Sequence, residues 1–325
     1  MKRLALVALL AVAGCATPEA APPRAPFSVP VPAPVGVSDP APIPEEGKND
    51  CQAELSFRPD GPLPPPGAPP AGSTMAEIGK RKLVVGVGSN AYLLGYRDPR
   101  DGRMLGFETA IVEEVAFAIF GGDRARIAER IQYRSLNADE RIPALVAEEN
   151  PVDIVLAGMT MTCERWAQVN FSSAYYSSRQ RLLVHRSSGV RSIDDLGGKK
   201  VCASNGSTNL RPVAQAASHP VPVGAANTSD CLLLLQQGQV DAVSTGDIIL
   251  AGLAAQDPAT QIVGPSLRSD PTGIAIAKPR LDLVRFVNAV LEKMIADGTW
   301  KRLQGDWLAT HIGEADPPTP RYRSE

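Results

Sequence analysis

The chain has 325 residues, 21% of them charged, with a formal net charge of −2. That length suggests about two domains at roughly 150 residues each, and so even a charge balance argues against nucleic acid or an anionic membrane surface as partner. Three His and five Cys with no Cys-x-x-Cys spacing make a metal centre, a redox site or any other cofactor an unexpected feature.

The opening Met1-Lys-Arg-Leu-Ala-Leu-Val-Ala-Leu-Leu-Ala-Val-Ala-Gly-Cys places two cations before an apolar run from Leu4 to Ala13. The run is far shorter than the ~20 residues of a membrane span, so it reads as an export signal to be set apart from the fold. Its Val-Ala-Gly-Cys ending resembles a lipobox, in which Cys15 is lipidated and becomes the new N-terminus; plain secretory cleavage is the alternative. The expected location is extracytoplasmic, with the lipid as the only membrane anchor. Four cysteines then remain, and export favours two disulfides. Three connectivities are open, of which Cys51–Cys163 with Cys202–Cys231 is preferred; closing such loops is typically worth about 2–4 kcal/mol each.

Residues 16–74 hold more than half of the chain's 30 prolines. Proline breaks helices and sheet ladders, so this stretch reads as an extended, disordered tether, with Cys51 as a staple partway along it. A short helical lead-in follows at Met75. Leu83-Val-Val-Gly-Val reads as a buried strand, 106–120 as a helix ended by Gly121-Gly122, Ile131-Gln-Tyr-Arg as a strand, 138–149 as a helix and Val152-Asp-Ile-Val-Leu-Ala as a further buried strand. After Arg181-Leu-Leu-Val-His a second alternating set begins, with Asp194-Asp-Leu-Gly-Gly-Lys-Lys-Val-Cys-Ala, helices near 208–217 and 229–238, and then the strand Val240-Asp-Ala-Val. Gly273-Ile-Ala-Ile-Ala leads to helices at 280–297 and 299–308, and residues 313–325 read as a disordered tail. Strands alternating with helices predict an α/β fold with mainly parallel sheets.

Six strings in this order resemble the extracytoplasmic solute-binding proteins, family 3, for polar amino acids. They are Leu83-Val-Val-Gly-Val, Leu105-Gly-Phe-Glu-x-x-Ile, Val152-Asp-Ile-Val-Leu-Ala-Gly-Met-Thr-Met-Thr-Cys-Glu-Arg, Val169-Asn-Phe-Ser, Asn205-Gly-Ser-Thr and Gly238-Gln-Val-Asp-Ala-Val-Ser-Thr-Gly-Asp. The likeness is greatest to the actinobacterial glutamine- or glutamate-binding lipoproteins, which share the proline tether, the Cys pairs and the Pro-Pro-Thr-Pro-Arg-Tyr ending. It implies a two-lobed periplasmic-binding-protein-like fold (type II), with lobe 1 at 75–183 plus 277–312, lobe 2 at 188–272, and hinge crossovers at 183–185 and 273–277. It also implies a monomer closing around one free amino acid, with a membrane permease or a membrane sensor receptor as partner.

The ligand's chemistry sets what the residues must do, because each of its charges has to be paired when buried. By resemblance, Arg165 forks onto the α-carboxylate, with Thr160 and Gly158 offering hydroxyl and amide donors, and Ser207 and Thr208 approach the same carboxylate from lobe 2, where simple helix capping is the alternative. Related proteins place an Asp for the ammonium at a position that is Gly246 here; Asp247, one residue later, is the candidate substitute. Arg141, in Arg-Ile-Pro-Ala-Leu, and Arg97 are candidates for a side-chain carboxylate, and Tyr92 for stacking on the aliphatic part. A second cation favours Asp or Glu, then Asn or Gln. The same fold also hosts dehydratases and cell-wall lyases, but no nucleophile–base–orienter set is visible, so no enzyme is expected. His185 is placed at the hinge, His219 in a loop and His311 near the end. Transport and sensing upstream of a kinase remain alternatives.

Overall fold

Ser73 opens the first helix, α1 (Thr74–Ile78), its Oγ accepting from the Ala76 amide at 3.2 Å. The structure, a computed structural model, describes residues 32–45 and 51–324. The expected leader and the lipidation candidate Cys15 lie outside the described residues. No described helix is long and apolar enough to cross a membrane.

The buried run β1 (Leu83–Val87) leads into a small three-stranded meander, β2 (Asn90–Ala91), β3 (Gly95–Arg97) and β4 (Met104–Leu105). Helix α2 (Phe107–Phe120) follows, buried over most of its surface by Phe107, Ile111, Val112, Val115 and Ile119. Its Gly106 cap has φ 130°, and a Cβ there would lie 2.4 Å from the Leu94 carbonyl oxygen, so a side chain is excluded. Then come β5 (Ile131–Ser135), α3 (Arg141–Val146), β6 (Ile154–Leu156), α4 (Cys163–Gln168) and β7 (Val169–Phe171). Strands β5, β1 and β6 pair in parallel, as crossover helices dictate.

The long strand β8 (Tyr176–His185) carries the chain into a second α/β set: β9 (Lys200–Ser204), α5 (Leu210–Ala214), β10 (Val221–Ala225), α6 (Thr228–Gln236), β11 (Ala242–Gly246), α7 (Asp247–Gln256) and β12 (Thr260–Thr272). It returns through β13 (Ala275–Ala277), antiparallel between β6 and β7, to α8 (Leu281–Ala296), α9 (Thr299–Gln304) and α10 (Thr310–Ile312). Two mixed five-stranded sheets result, ordered β5-β1-β6-β13-β7 and β10-β9-β11-β8-β12. The fold is therefore the expected two-lobed α/β arrangement, each sheet flanked by helices.

The hinge differs from expectation. Residues 183–185, placed at a crossover by the family resemblance, lie inside the lobe 2 sheet, paired with β12 throughout and with β11 at Leu183. The chain instead changes lobes for the first time between β7 and β8, and returns between β12 and β13, inside the expected 273–277 stretch. The interlobe connection is the antiparallel ribbon of 176–180 against 268–272, separated by a register shift from the part of β12 that joins the sheet. An apolar run such as Leu182-Leu-Val reads alike in a hinge and in a sheet centre, so its residues do not correct the placement that the resemblance implies. His185 sits in that sheet with its Nε2 3.1 Å from the Leu235 carbonyl. The helix expected at 138–149 contracts to α3, and that at 208–217 to α5.

The proline-rich segment and the tail differ too. Ser38 and Ala41 bond the edge of β10 through Gly224 and Pro222 at 2.8–2.9 Å, and Asn205 holds the same stretch through Ser38 Oγ and the Gly36 carbonyl. Farther on, the fully buried Ser56 donates to the Phe171 carbonyl at 2.7 Å and exchanges backbone bonds with Arg321 and Arg323. Arg323 lies 4.1 Å from the centre of the Trp166 ring, and Trp166 Nε1 donates to the Ala53 carbonyl. Proline removes single donors; it does not stop the residues between prolines from completing an exposed sheet edge. Disulfides Cys51–Cys163 and Cys202–Cys231, with Cα separations of 5.6 and 5.5 Å, tie this segment to lobe 1 and α6 to β9.

Candidate functional site

The cleft between the lobes is shut around a cavity lined from both sides and from the hinge ribbon. Helix α7 of lobe 2 packs on the lobe 1 meander so closely that a Cβ on Gly252 would lie 2.2 Å from the Tyr92 carbonyl oxygen. Ser229 Oγ donates to the Asn90 carbonyl at 3.2 Å, and the hydroxyls of Thr160 and Thr208 meet across the cleft at 3.3 Å.

Arg165, Arg141, Thr160, Gly158, Ser207 and Thr208 all line the cavity. Thr162 caps α4 and so aims Arg165 into the cleft, where its Nη1 donates to the Thr160 carbonyl at 2.9 Å. Burial, and after it the nearby Arg141 charge, push the Arg165 pKa down to about 10. Two guanidiniums thus share one cavity. Arg141 opens α3, and its Nε is buried without a partner. Burial lowers its pKa, opposed by the Glu108 charge. Ser207 Oγ is likewise buried and unpaired. Ser207 and Thr208 stand in the loop before α5 and do not cap it; Asn209 is the cap and makes no side-chain bond there. Gly158, with φ 60°, turns its amide to Glu108 Oε1 at 2.7 Å, so that donor is already engaged.

Three candidates are corrected. Asp247 is buried but does not line the cavity: its carboxylate accepts from Arg179 Nε at 2.9 Å and from the Arg179 and Ile248 amides. As the first residue of α7 it faces β8 rather than the cleft. Arg97 is exposed and donates to the Gly102 carbonyl at 2.7 Å inside its own turn. Tyr92 packs edge-on against Tyr96, ring centres 4.9 Å apart, and its side chain contributes nothing to the lining.

Sequence reasoning missed the acids. Glu108, in Gly-Phe-Glu, has Oε1 bonded by the Tyr175 hydroxyl as well as by Gly158, and burial raises its pKa against those bonds and Arg141. Asp270 lines the cavity from the hinge at 7% exposure, its Oδ1 paired with Arg268 Nε; burial raises its pKa, opposed by Arg268 and Arg165. Gln180 and Thr272, also buried in the ribbon, present Oε1 and Oγ1 with no partner. The 158–165 loop runs beside this ribbon, with the Met161 amide on the Pro271 carbonyl at 2.9 Å, which sets Arg165 next to Asp270. The period-2 alternation Arg268-x-Asp270-x-Thr272 was the only trace of this in the sequence.

The model of the bacterial extracellular solute-binding proteins, family 3, matches residues 83–310. The chain is 32% identical over 228 residues to the ABC transporter glutamine-binding protein GlnH of Bacillus subtilis, covering 70% of this chain and 81% of that one. It is 28% identical to the glutamate-binding protein GluB of Corynebacterium glutamicum, over 74% and 81% of the two chains. Among solved structures, an ancestral arginine-binding protein bound to glutamine superposes with a TM-score of 0.61 at 31% identity, over 70% of this chain and 97% of that one. The lobed architecture, the cleft and these matches agree: the chain belongs to the bacterial extracellular solute-binding proteins, family 3.

Proposed function

We propose that the protein captures a free dicarboxylic amino acid, Asp or Glu in preference to Asn or Gln, outside the cytoplasmic membrane and presents it to a membrane partner. The observation that carries this reading is the pair of guanidiniums in one closed cleft. Arg165 suits an α-carboxylate, and Arg141, with an unpartnered buried Nε, suits a second one. Glu108 acts on the Arg141 charge but makes no hydrogen bond to it, so a ligand bringing a second carboxylate completes the site better than a neutral one. Thr160, Ser207 and Thr208 add hydroxyl donors from both lobes, so that the same ligand bridges and holds them together.

Glu108 beside Arg141 supports a second reading, glutamine, since a carboxamide donates to an acid and accepts from a guanidinium; the glutamine-binding relatives agree with it. Calorimetric titration with Asp, Glu, Asn, Gln, Arg and His separates the two. Tighter binding of Gln than Glu overturns the dicarboxylate preference, and no binding of any of the first four overturns the reading as a whole. Lipidation at Cys15 would raise the local concentration of the binder at a permease, or at a receptor reporting amino-acid supply to a kinase. Mass spectrometry of the membrane fraction, with and without Cys15→Ala, tests the anchor. Reconstituting uptake with the permease genes nearest its own distinguishes transport from sensing.

A further inference from the structure

A free amino acid carries an ammonium within about 3 Å of its α-carboxylate, and a closed cleft must supply an acceptor for it. The cavity is lined by only two acids among the described residues, Glu108 and Asp270. Glu108 accepts from both Tyr175 and Gly158 at Oε1 and stands by Arg141, the cation assigned above to the ligand's distal group rather than to its α-carboxylate. Lobe 2 offers no acid at the end of β11, because Asp247 is held by Arg179 and a side chain on Gly246 would meet Ser178 Oγ at 2.2 Å.

We infer that the ammonium is bound by the hinge ribbon itself: Asp270 accepts it through Oδ2, and Thr272 Oγ1 and Gln180 Oε1 complete a three-acceptor seat. Asp270 and Thr272 are two apart on one strand and therefore share a face. Gln180 stands opposite Arg268 on the partner strand, which places it on that same face beside Asp270. All three are at most 7% exposed and line the cavity. Gln180 is fixed in orientation, its Nε2 donating to the Asn209 carbonyl and to Ser244 Oγ at 2.9 Å, which leaves Oε1 as the inward group. Arg268 engages Oδ1 alone; it positions the carboxylate and keeps Oδ2 without a partner among the described residues. Arg165 and Asp270 are charge neighbours, so the adjacent carboxylate and ammonium of one α-carbon meet adjacent charges of opposite sign. Because the seat lies on the ribbon that joins the lobes, the ammonium locks the hinge in its closed form.

This inference rests on the reading of the ligand as an amino acid but not on which one. The test compares glutamate with glutarate, the same dicarboxylate lacking the amino group, by calorimetry on the wild type and on Asp270→Asn. The wild type should prefer glutamate by about 100-fold or more, and Asp270→Asn should shrink that preference to within about 5-fold with glutarate nearly unchanged. Equal losses for both ligands, or no loss for glutamate, overturn the assignment. Thr272→Val keeps the shape of its site and should cost glutamate about 5-fold and glutarate nothing, so it decides the matter should Asp270→Asn fold poorly. If glutamine binds and glutamate does not, only the dicarboxylate preference fails; glutamine against its deaminated analogue then reads the seat. Binding of no amino acid overturns both.

Discussion

Replacing Arg141 by Met should make the ligand-free protein more stable while crippling its binding of acidic amino acids. Arg141 opens α3, where a cation opposes the helix dipole at a cost of about 0.3 kcal/mol or more. Its buried Nε has no partner, and an unmade hydrogen bond in such a place costs about 1–3 kcal/mol. The side chain is only half-buried, so the low end of that range applies. Glu108 loses a counter-charge and takes part of the gain back. The net is about 1 kcal/mol of stabilisation, or roughly a 3 °C rise in Tm. A carboxylate paired with this guanidinium inside the cleft contributes far more, and losing the pair costs about 2–5 kcal/mol, a weakening of roughly 30- to 5,000-fold. A carboxamide loses a hydrogen bond from a charged donor but no ion pair, about 1.5–3 kcal/mol, hence roughly 10- to 150-fold. Scanning calorimetry without ligand and titration with glutamate and glutamine read all three numbers. A Tm that falls by several degrees, with equal loss of both ligands, would falsify the distal-carboxylate role and make Arg141 a structural residue.

Gly252 lies inside α7 with ordinary helical geometry, so Gly252→Ala should leave the ligand-free Tm unchanged or slightly raised. The new methyl would sit 2.2 Å from the Tyr92 carbonyl, so the lobes should stay apart, weakening every ligand at least about 10-fold and enlarging the radius of gyration in X-ray scattering; unchanged affinity would show that the lobes close differently. Asp153 accepts from Arg81 at 2.6 Å and from the Val84 amide at 2.9 Å, and also pairs with Arg280. Burial alone would raise its pKa, but these partners outweigh it and hold the pKa below the ordinary value. Its stabilisation is therefore complete above the unfolded pKa of about 4 and disappears as the pH falls through the folded value. Asp153→Asn should cost about 3 kcal/mol at neutral pH, with a gap in Tm that narrows on acidification below about pH 4; a gap independent of pH contradicts the ion-pair account. Removing the Cys202–Cys231 disulfide by a double Ser substitution should cost about 3–4 kcal/mol by chain entropy, measured by urea unfolding, and less than 1 kcal/mol would mean that the α6–β9 packing already confines that loop.

Hydrophobic patterning in this chain marked the pieces of the fold correctly. Leu83–Val87, Phe107–Phe120 and Leu281–Ala296 stand where apolar periodicity puts them, because burial of a strand or a helix face leaves its period in the residue order. Arg165, Arg141 and Ser207, all in the cavity lining, were expected from the family resemblance rather than from periodicity. Three things were not legible. Asp247 reads as a cleft acid until Arg179, 68 residues earlier in sequence, is seen to claim it. Asp270 reads as an ordinary strand residue until the ribbon is seen to pass beneath the cleft. The proline-rich segment and the tail read as loose chain until Ser56 and Arg321, far apart in the chain, are seen to meet. Local sequence determines which backbone each segment prefers and which side chains travel together. Which charge faces which, and whether an acid meets the cleft or a neighbouring arginine, depends on the packing of distant segments, and only the tertiary structure decides it.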